Sequence, residues 1–116
     1  MLSFEKIQKT NSEYYIIKKE EHQIGLIHLN QIDNTSKSAE AGLFIGNPKF
    51  NGTGITLGAS ILLLEHAFNK LGLENIFAKV KNCNDNAIKY NKLLGFIEDK
   101  PHNSEFTFYK LKKEKF

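Results

Sequence analysis

Lys49-Phe50-Asn51-Gly52-Thr53-Gly54 runs without a break into a long apolar segment, Ile55 to Leu71. Two glycines one residue apart let a backbone turn tightly and approach a ligand closely. A helix that begins there aims free N–H groups and its positive dipole end at the same point. The chemistry this predicts is anion binding, with a pyrophosphate held on the amides of Asn51, Gly52, Thr53, Gly54 and Ile55. Lys49 could add a point charge beside that phosphate or stand simply solvated. The bland alternative is a tight strand-to-helix connection that binds nothing. The loop is not a Walker A site, because no Gly-Lys-Ser/Thr follows the glycines, and it lacks the third glycine of the dinucleotide fingerprint.

Other groups with chemical potential are sparse. Cys83 is the single cysteine, so neither an internal disulfide nor a cysteine-rich metal site is expected. No base stands at a recognised spacing from it, which makes an inert thiol the expectation. His22, His66 and His102 fall in a turn, on a helix face and in a loop, with no metal-ligand pattern among them. His28 alternates with Ile24 and Leu26 and reads either as an edge-of-core residue or as a base. Asn84 has the character of a helix N-cap.

These residues must be positioned by a series of short elements. Tyr14 to Lys18 and Gln23 to Leu29 read as strands of a hairpin around the polar turn Lys19 to His22. Asp33 to Lys37 reads as a loop and Ser38 to Gly46 as a third strand, ended by Asn47-Pro48 because proline cannot continue a central ladder. The helix from Ile55 to Leu71 is apolar on most sides, carries its polar residues near its end and stops at Gly72. Asn75 to Val80 follows as a strand and Asn84 to Leu94 as a second helix closed by Gly95. Phe96 to Glu98 and Phe106 to Leu111 are short strands around a turn at Pro101 to Ser104. Lys112 to Phe116 reads as a frayed, charged tail.

The order is β-β-β-α-β-α-β-β, which gives an α/β (α+β) layer fold with a mixed sheet. The 116 residues suit a single domain, 1–116. Hydrophobic residues make up 41% and charged residues 25%, the mix of a globular protein. A net charge of +3 suits an anionic small ligand and is too weak to argue for nucleic acid. The amino-terminal residues carry charges where a secretory signal needs an apolar run, and Ile61 to Leu64 is too short to span a bilayer. The expected location is therefore cytoplasmic.

Strand, Lys49, two spacers, Gly-x-Gly and a long helix together resemble the acetyl-CoA signature of the GNAT superfamily of N-acetyltransferases. A second element agrees. Asn84-Asp85-Asn86-Ala87-Ile88, running on to Leu94-Gly95-Phe96, is similar to that family's late motif of Asn-x-x-Ala-Ile closing on Gly-Phe. Ser38-Ala39-Glu40-Ala41-Gly42-Leu43-Phe44-Ile45 resembles its Glu-x-Gly strand in enzymes that acetylate amino-sugar nucleotides or protein N-termini. The likeness covers Tyr14 to Leu111. It implies a mostly antiparallel sheet with two main helices, acetyl-CoA as donor, a primary amine as acceptor and no metal. A strand and a helix pair usually precede the first hairpin in that family; Met1 to Glu13 is too short for them, so the strand and both helices are expected to be missing.

The resemblance also implies roles. The strand holding Leu43 and Ile45 would splay from its neighbour and pair its backbone with the pantetheine arm. Glu40 becomes the candidate general base, directly or through water, with His28 second. Asn84 could hydrogen-bond the coenzyme besides capping its helix. The family's tyrosine acid falls four residues after the motif alanine, which here is Asn91. Tyr90 sits one residue earlier, about 100° around the helix, and is the candidate acid. Two functions stay open: an N-acetyltransferase, and a catalytically silent GNAT-like module that binds CoA or a protein partner. A missing layer would leave an apolar sheet face for an interface, such as a homodimer.

Overall fold

The computed structural model describes residues 2–9, 11–45 and 54–116. Its strands are β1 (Leu2–Lys9), β2 (Ser12–Lys19), β3 (His22–Asp33), β4 (Ser38–Ile45), β5 (Asn75–Lys81), β6 (Ile97–Pro101) and β7 (Phe106–Lys112). Two α-helices, α1 (Gly54–Glu65) and α2 (Asp85–Leu94), separate β4 from β5 and β5 from β6. The strands form one sheet in the order β1-β2-β3-β4-β5-β7-β6, antiparallel throughout except for β4 beside β5.

The expected order gains a strand at its start. Leu2–Lys9 pairs with β2 in an unbroken antiparallel register from Leu2↔Lys19 to Lys9↔Ser12. Its alternation is weak in the sequence, and cross-strand contacts with β2 settle it. Lys18 pairs with Glu5 at 2.7 Å and Lys6 reaches Glu13 at 3.5 Å. Among the described residues no helix precedes β2.

One face of the sheet is closed by both helices. Ile17, Ile27, Leu29, Ala39, Ile76, Ala78, Val80, Tyr109 and Leu111 are buried beneath Ala59, Leu63, Leu64, Ala67 and Phe68 of α1 and its extension. Ala87, Ile88 and Leu94 of α2 pack against the same cluster. A β-bulge between Ile17 and Lys18 on the β2–β3 pair breaks the alternation there, so Ile24 joins the core instead of sharing a face with His28. The opposite face holds Tyr14, Ile16, Leu26, Phe77, Phe106 and Phe108, which are only half-buried.

Past Glu65 the helix widens into a π-turn, His66–Lys70, with Leu71 N–H donating to the His66 carbonyl at 3.1 Å. Gly72 then takes φ 69°, which lets Leu73 N–H reach back to the Ala67 carbonyl. The carboxyl end is not frayed. Lys113 N–H donates to the Glu74 carbonyl, and the Phe116 ring lies 5.4 Å from that of Phe68.

Candidate functional site

The two parallel strands part company early. β4 and β5 pair only at Ser38↔Asn75, Ala39↔Ile76 and Glu40↔Phe77. Beyond Glu40, β4 follows β3 through Gly42↔His28 to Ile45↔Gly25, while β5 follows β7 to Lys81↔Phe106. The strands therefore open into a V, and the two inner edges lose their ladder partners. A cleft of about 420 Å³ fills the V and the space under α1 and α2. Its lining includes His28, Gly42, Ser60, Lys79, Asn84 and Tyr90.

Tyr90 reaches the cleft from α2. Its hydroxyl lies 2.9 Å from the Thr56 carbonyl oxygen and 2.7 Å from Ser60 Oγ, which ties α2 to α1. A phenol has one proton, which the Thr56 carbonyl can accept, while the Ser60 hydroxyl is itself a donor as well as an acceptor. Burial raises the Tyr90 pKa and the Ser60 bond lowers it, with a net rise. The phenol therefore stays protonated at neutral pH, as an acid must before it acts. Asn91 also lines the cleft, but its amide is bound to the Ala87 carbonyl at 2.8 Å.

His28 stands on the far side, at the root of the V. Its Nδ1 is buried and has no hydrogen-bond partner among the described residues. Burial lowers its pKa, and the Glu40 carboxylate opposes that shift in part. The imidazole is thus neutral near pH 7 with a free buried nitrogen, a state that native interiors rarely leave without use. The ring fits there because residue 42 is glycine: a Cβ at Gly42 would overlap the imidazole. Tyr14 borders it with ring centroids 5.5 Å apart.

The remaining sequence candidates divide. Glu40 is half-buried on the same face as His28, but it does not line the cleft. Asn84 does line it, and its side chain accepts from Ala87 N–H at 3.1 Å, which makes it the N-cap of α2. Its amide NH₂ is left over for a ligand. Leu43 and Ile45 lie on the splayed part of β4, opposite Ile27 and Gly25. Gly54 and Ile55 open the first turn of α1. Lys49, Asn51, Gly52 and Thr53 lie outside the described residues. No cluster of three or more His, Cys, Asp or Glu suited to a metal occurs among the described residues. Among them, no helix is long and apolar enough to cross a membrane.

Two features escaped sequence reasoning. Lys79 and Lys81 line the cleft, and the signal for them is the alternation of Ile76, Ala78 and Val80 with Phe77, Lys79 and Lys81. The second feature is a closed polar knot. Glu13, only 4% exposed, accepts from Tyr15 Oη at 2.8 Å and meets His66 Nε2 at 2.9 Å. Tyr15 Oη and His66 Nε2 are themselves 3.1 Å apart. Burial would raise the Glu13 pKa, but the Tyr15 and His66 hydrogen bonds and the Lys6 charge outweigh it and hold it below its ordinary value. No local pattern joins residues so far apart in the chain.

A family model for the acetyltransferase (GNAT) domain matches residues 2–97. The chain is 26% identical over 90 residues to spermidine N(1)-acetyltransferase of Escherichia coli strain K12, a match that covers 78% of this chain and 48% of that protein. It thus spans about half the length of the curated relatives it matches. Among solved structures, a dodecameric spermidine N-acetyltransferase from Vibrio cholerae superposes with a TM-score of 0.82 at 21% identity, covering 90% of this chain and 67% of that one. A probable acetyltransferase superposes with a TM-score of 0.83 at 22% identity, covering 92% and 64%. The parted parallel strands and the match of the family model over most of the chain carry one conclusion: this chain belongs to the GNAT acetyltransferase family.

Proposed function

We propose that this protein is an N-acetyltransferase that moves an acetyl group from acetyl-CoA to the primary amine of a small molecule or a protein N-terminus. The observation that carries the reading is the V between β4 and β5, whose cleft gathers a protonated phenol and a neutral imidazole from opposite sides. Bound acetyl-CoA would supply an acyl thioester. The amides of Asn51 to Ile55 hold its pyrophosphate, with Lys49 beside it. The inner edge of β4 at Leu43 and Ile45 pairs with the pantetheine arm, and the Asn84 amide adds a donor.

The chain's own groups then manage protons and orientation. His28 accepts the proton that the amine must lose, and Glu40 stabilises the resulting imidazolium or relays the proton through water. A backbone N–H of β4 near Leu43 donates to the thioester carbonyl oxygen as negative charge grows there. Tyr90 gives its proton to the departing thiolate. Holding two reactants in one cleft supplies much of the acceleration. A homodimer is part of the proposal, and a single species of monomer mass across a sedimentation series would remove it.

Calorimetry with acetyl-CoA and with CoA tests the donor site; absence of heat with both sinks it. Gly52→Val should abolish binding, because a branched side chain would block the backbone's approach to phosphate. Thiol release with a panel of amines tests turnover. Binding without release under any amine would favour the silent-module reading.

A further inference from the structure

The charge around the cleft is one-sided, and it bears on the acceptor. The charged groups lining the cleft among the described residues are lysines, Lys79 and Lys81; no carboxylate lines it. Both project from β5 on the face that the helices leave open, the face that also holds His28 and Gly42. Aromatic rings steady the patch. Lys79 Nζ lies 5.1 Å from the Phe106 ring centroid, and Lys110 Nζ lies 5.6 Å from that of Phe77. On β4, β5 and β7, the strands that border this side, Glu40 is the one described carboxylate of that face. Glu40 stands at the root of the V, in register with Phe77 and beside His28.

A polycation such as spermidine would meet this rim with like charge against like charge. A molecule with an ammonium at one end and a negative group at the other fits both sides: ammonium toward Glu40 and His28, anion toward Lys79 and Lys81. Charges of one sign lining a cleft raise the local concentration of the opposite sign and steer its approach.

We propose that the acceptor is a primary amine that also bears an anionic carboxylate or phosphate, and that Lys79 and Lys81 bind that group. This rests on the acetyltransferase reading above and narrows it away from the polyamines named for its relatives. The reaction keeps its balance: the amine nitrogen bonds to the acetyl carbon, the carbon–sulfur bond breaks, and the amine's proton passes to the protein while the thiolate takes one from Tyr90.

Matched amines give the test, read as thiol release on the full chain. O-phosphoethanolamine is set against ethanolamine, β-alanine against propylamine, and spermidine against all four. The anionic member of at least one pair should exceed its neutral twin in kcat/KM by tenfold or more, and spermidine should rank last. The preference should shrink at high salt. The double variant Lys79→Gln, Lys81→Gln should lose the preference through acceptor KM while its affinity for acetyl-CoA holds. Preference for spermidine or for the neutral twins would overturn the proposal. So would a double variant in which acetyl-CoA affinity falls and the acceptor ranking survives, since the lysines would then serve the coenzyme. Acetyl-CoA binding with no amine turned over overturns it too, in favour of a silent module. Loss of acetyl-CoA binding by the wild-type protein strikes the underlying reading instead.

Discussion

Two polar clusters are built into the same sheet, and they are finished differently. At the β2 end, Glu13, Tyr15 and His66 bond one another within 3.1 Å, with Lys6 closing the group. At the V, His28 keeps a buried nitrogen without a partner among the described residues, and the bonded Tyr90 hydroxyl still lines an open cleft. A satisfied buried network contributes to a single well-defined fold, whereas an unsatisfied buried group is a cost that function can explain. The first cluster thus reads as structural, and the proposed reaction assigns the chemistry to the second. The smaller apolar cavity of about 220 Å³ beside the knot, lined by Phe4, Tyr15, Leu62 and His66, belongs to the structural side.

The comparison breaks most sharply at Tyr90. Tyr90→Phe should lower kcat by roughly 10²- to 10⁴-fold, the range for removal of a general acid, with little change in acetyl-CoA affinity. A variant with wild-type kcat would make the Tyr90 bonds to α1 merely structural. His28→Gln should lower kcat by about 10²-fold. In the wild-type protein kcat should rise with pH through a midpoint below the ordinary histidine value of 6.5, because burial depresses the His28 pKa. That limb should vanish in the variant. The same depression means the unfolded chain binds the proton first as pH falls below 6.5, so this histidine draws stability down with acidification.

Gly42→Ala should sharpen the point by crowding the imidazole. We expect a loss of about 1–3 kcal/mol in urea unfolding together with reduced kcat. Glu13→Gln should remove about 1–3 kcal/mol of stability and leave kcat alone. Its sign with pH is fixed: a lowered folded-state pKa stabilises above the ordinary value of 4.5 and is lost as pH falls through the lower folded value. Melting curves of wild type and variant should thus converge in acid. A kcat loss in Glu13→Gln at full stability would erase the distinction between the two clusters. The smallest effect is expected at Asn84. Asn84→Asp preserves a cap and should cost little stability, yet weaken acetyl-CoA binding; Asn84→Ala should lose about 1 kcal/mol as well. Equal affinity across the three would leave Asn84 a cap alone.

Much of this architecture is written locally. The alternation of β2, β5 and β7, the Asn84 cap and the Gly72 and Gly95 stops each depend on a few neighbouring residues, and each element forms where those residues predict. β1 and the packed carboxyl end were not legible, because Leu2–Lys9 and Phe116 are specified by distant partners. The candidate site divides the same way. The pattern at Asn84 marks the late helix, and a tyrosine one position from the family's place is visible as Tyr90, while the anion loop expected from the glycine spacing before α1 falls mostly outside the described residues.

What sequence alone determined is the set of elements, their order and the family they resemble, since periodicity and turn chemistry act over a few residues. Tertiary structure decided which polar groups meet. It brought His28 to Gly42, Tyr90 to Thr56 and Ser60, and Glu13 to His66. It also parted β4 from β5 after three pairs and set Lys79 and Lys81 on the rim. Such meetings depend on register and on how two helices share one sheet face, and no window of neighbouring residues carries that information.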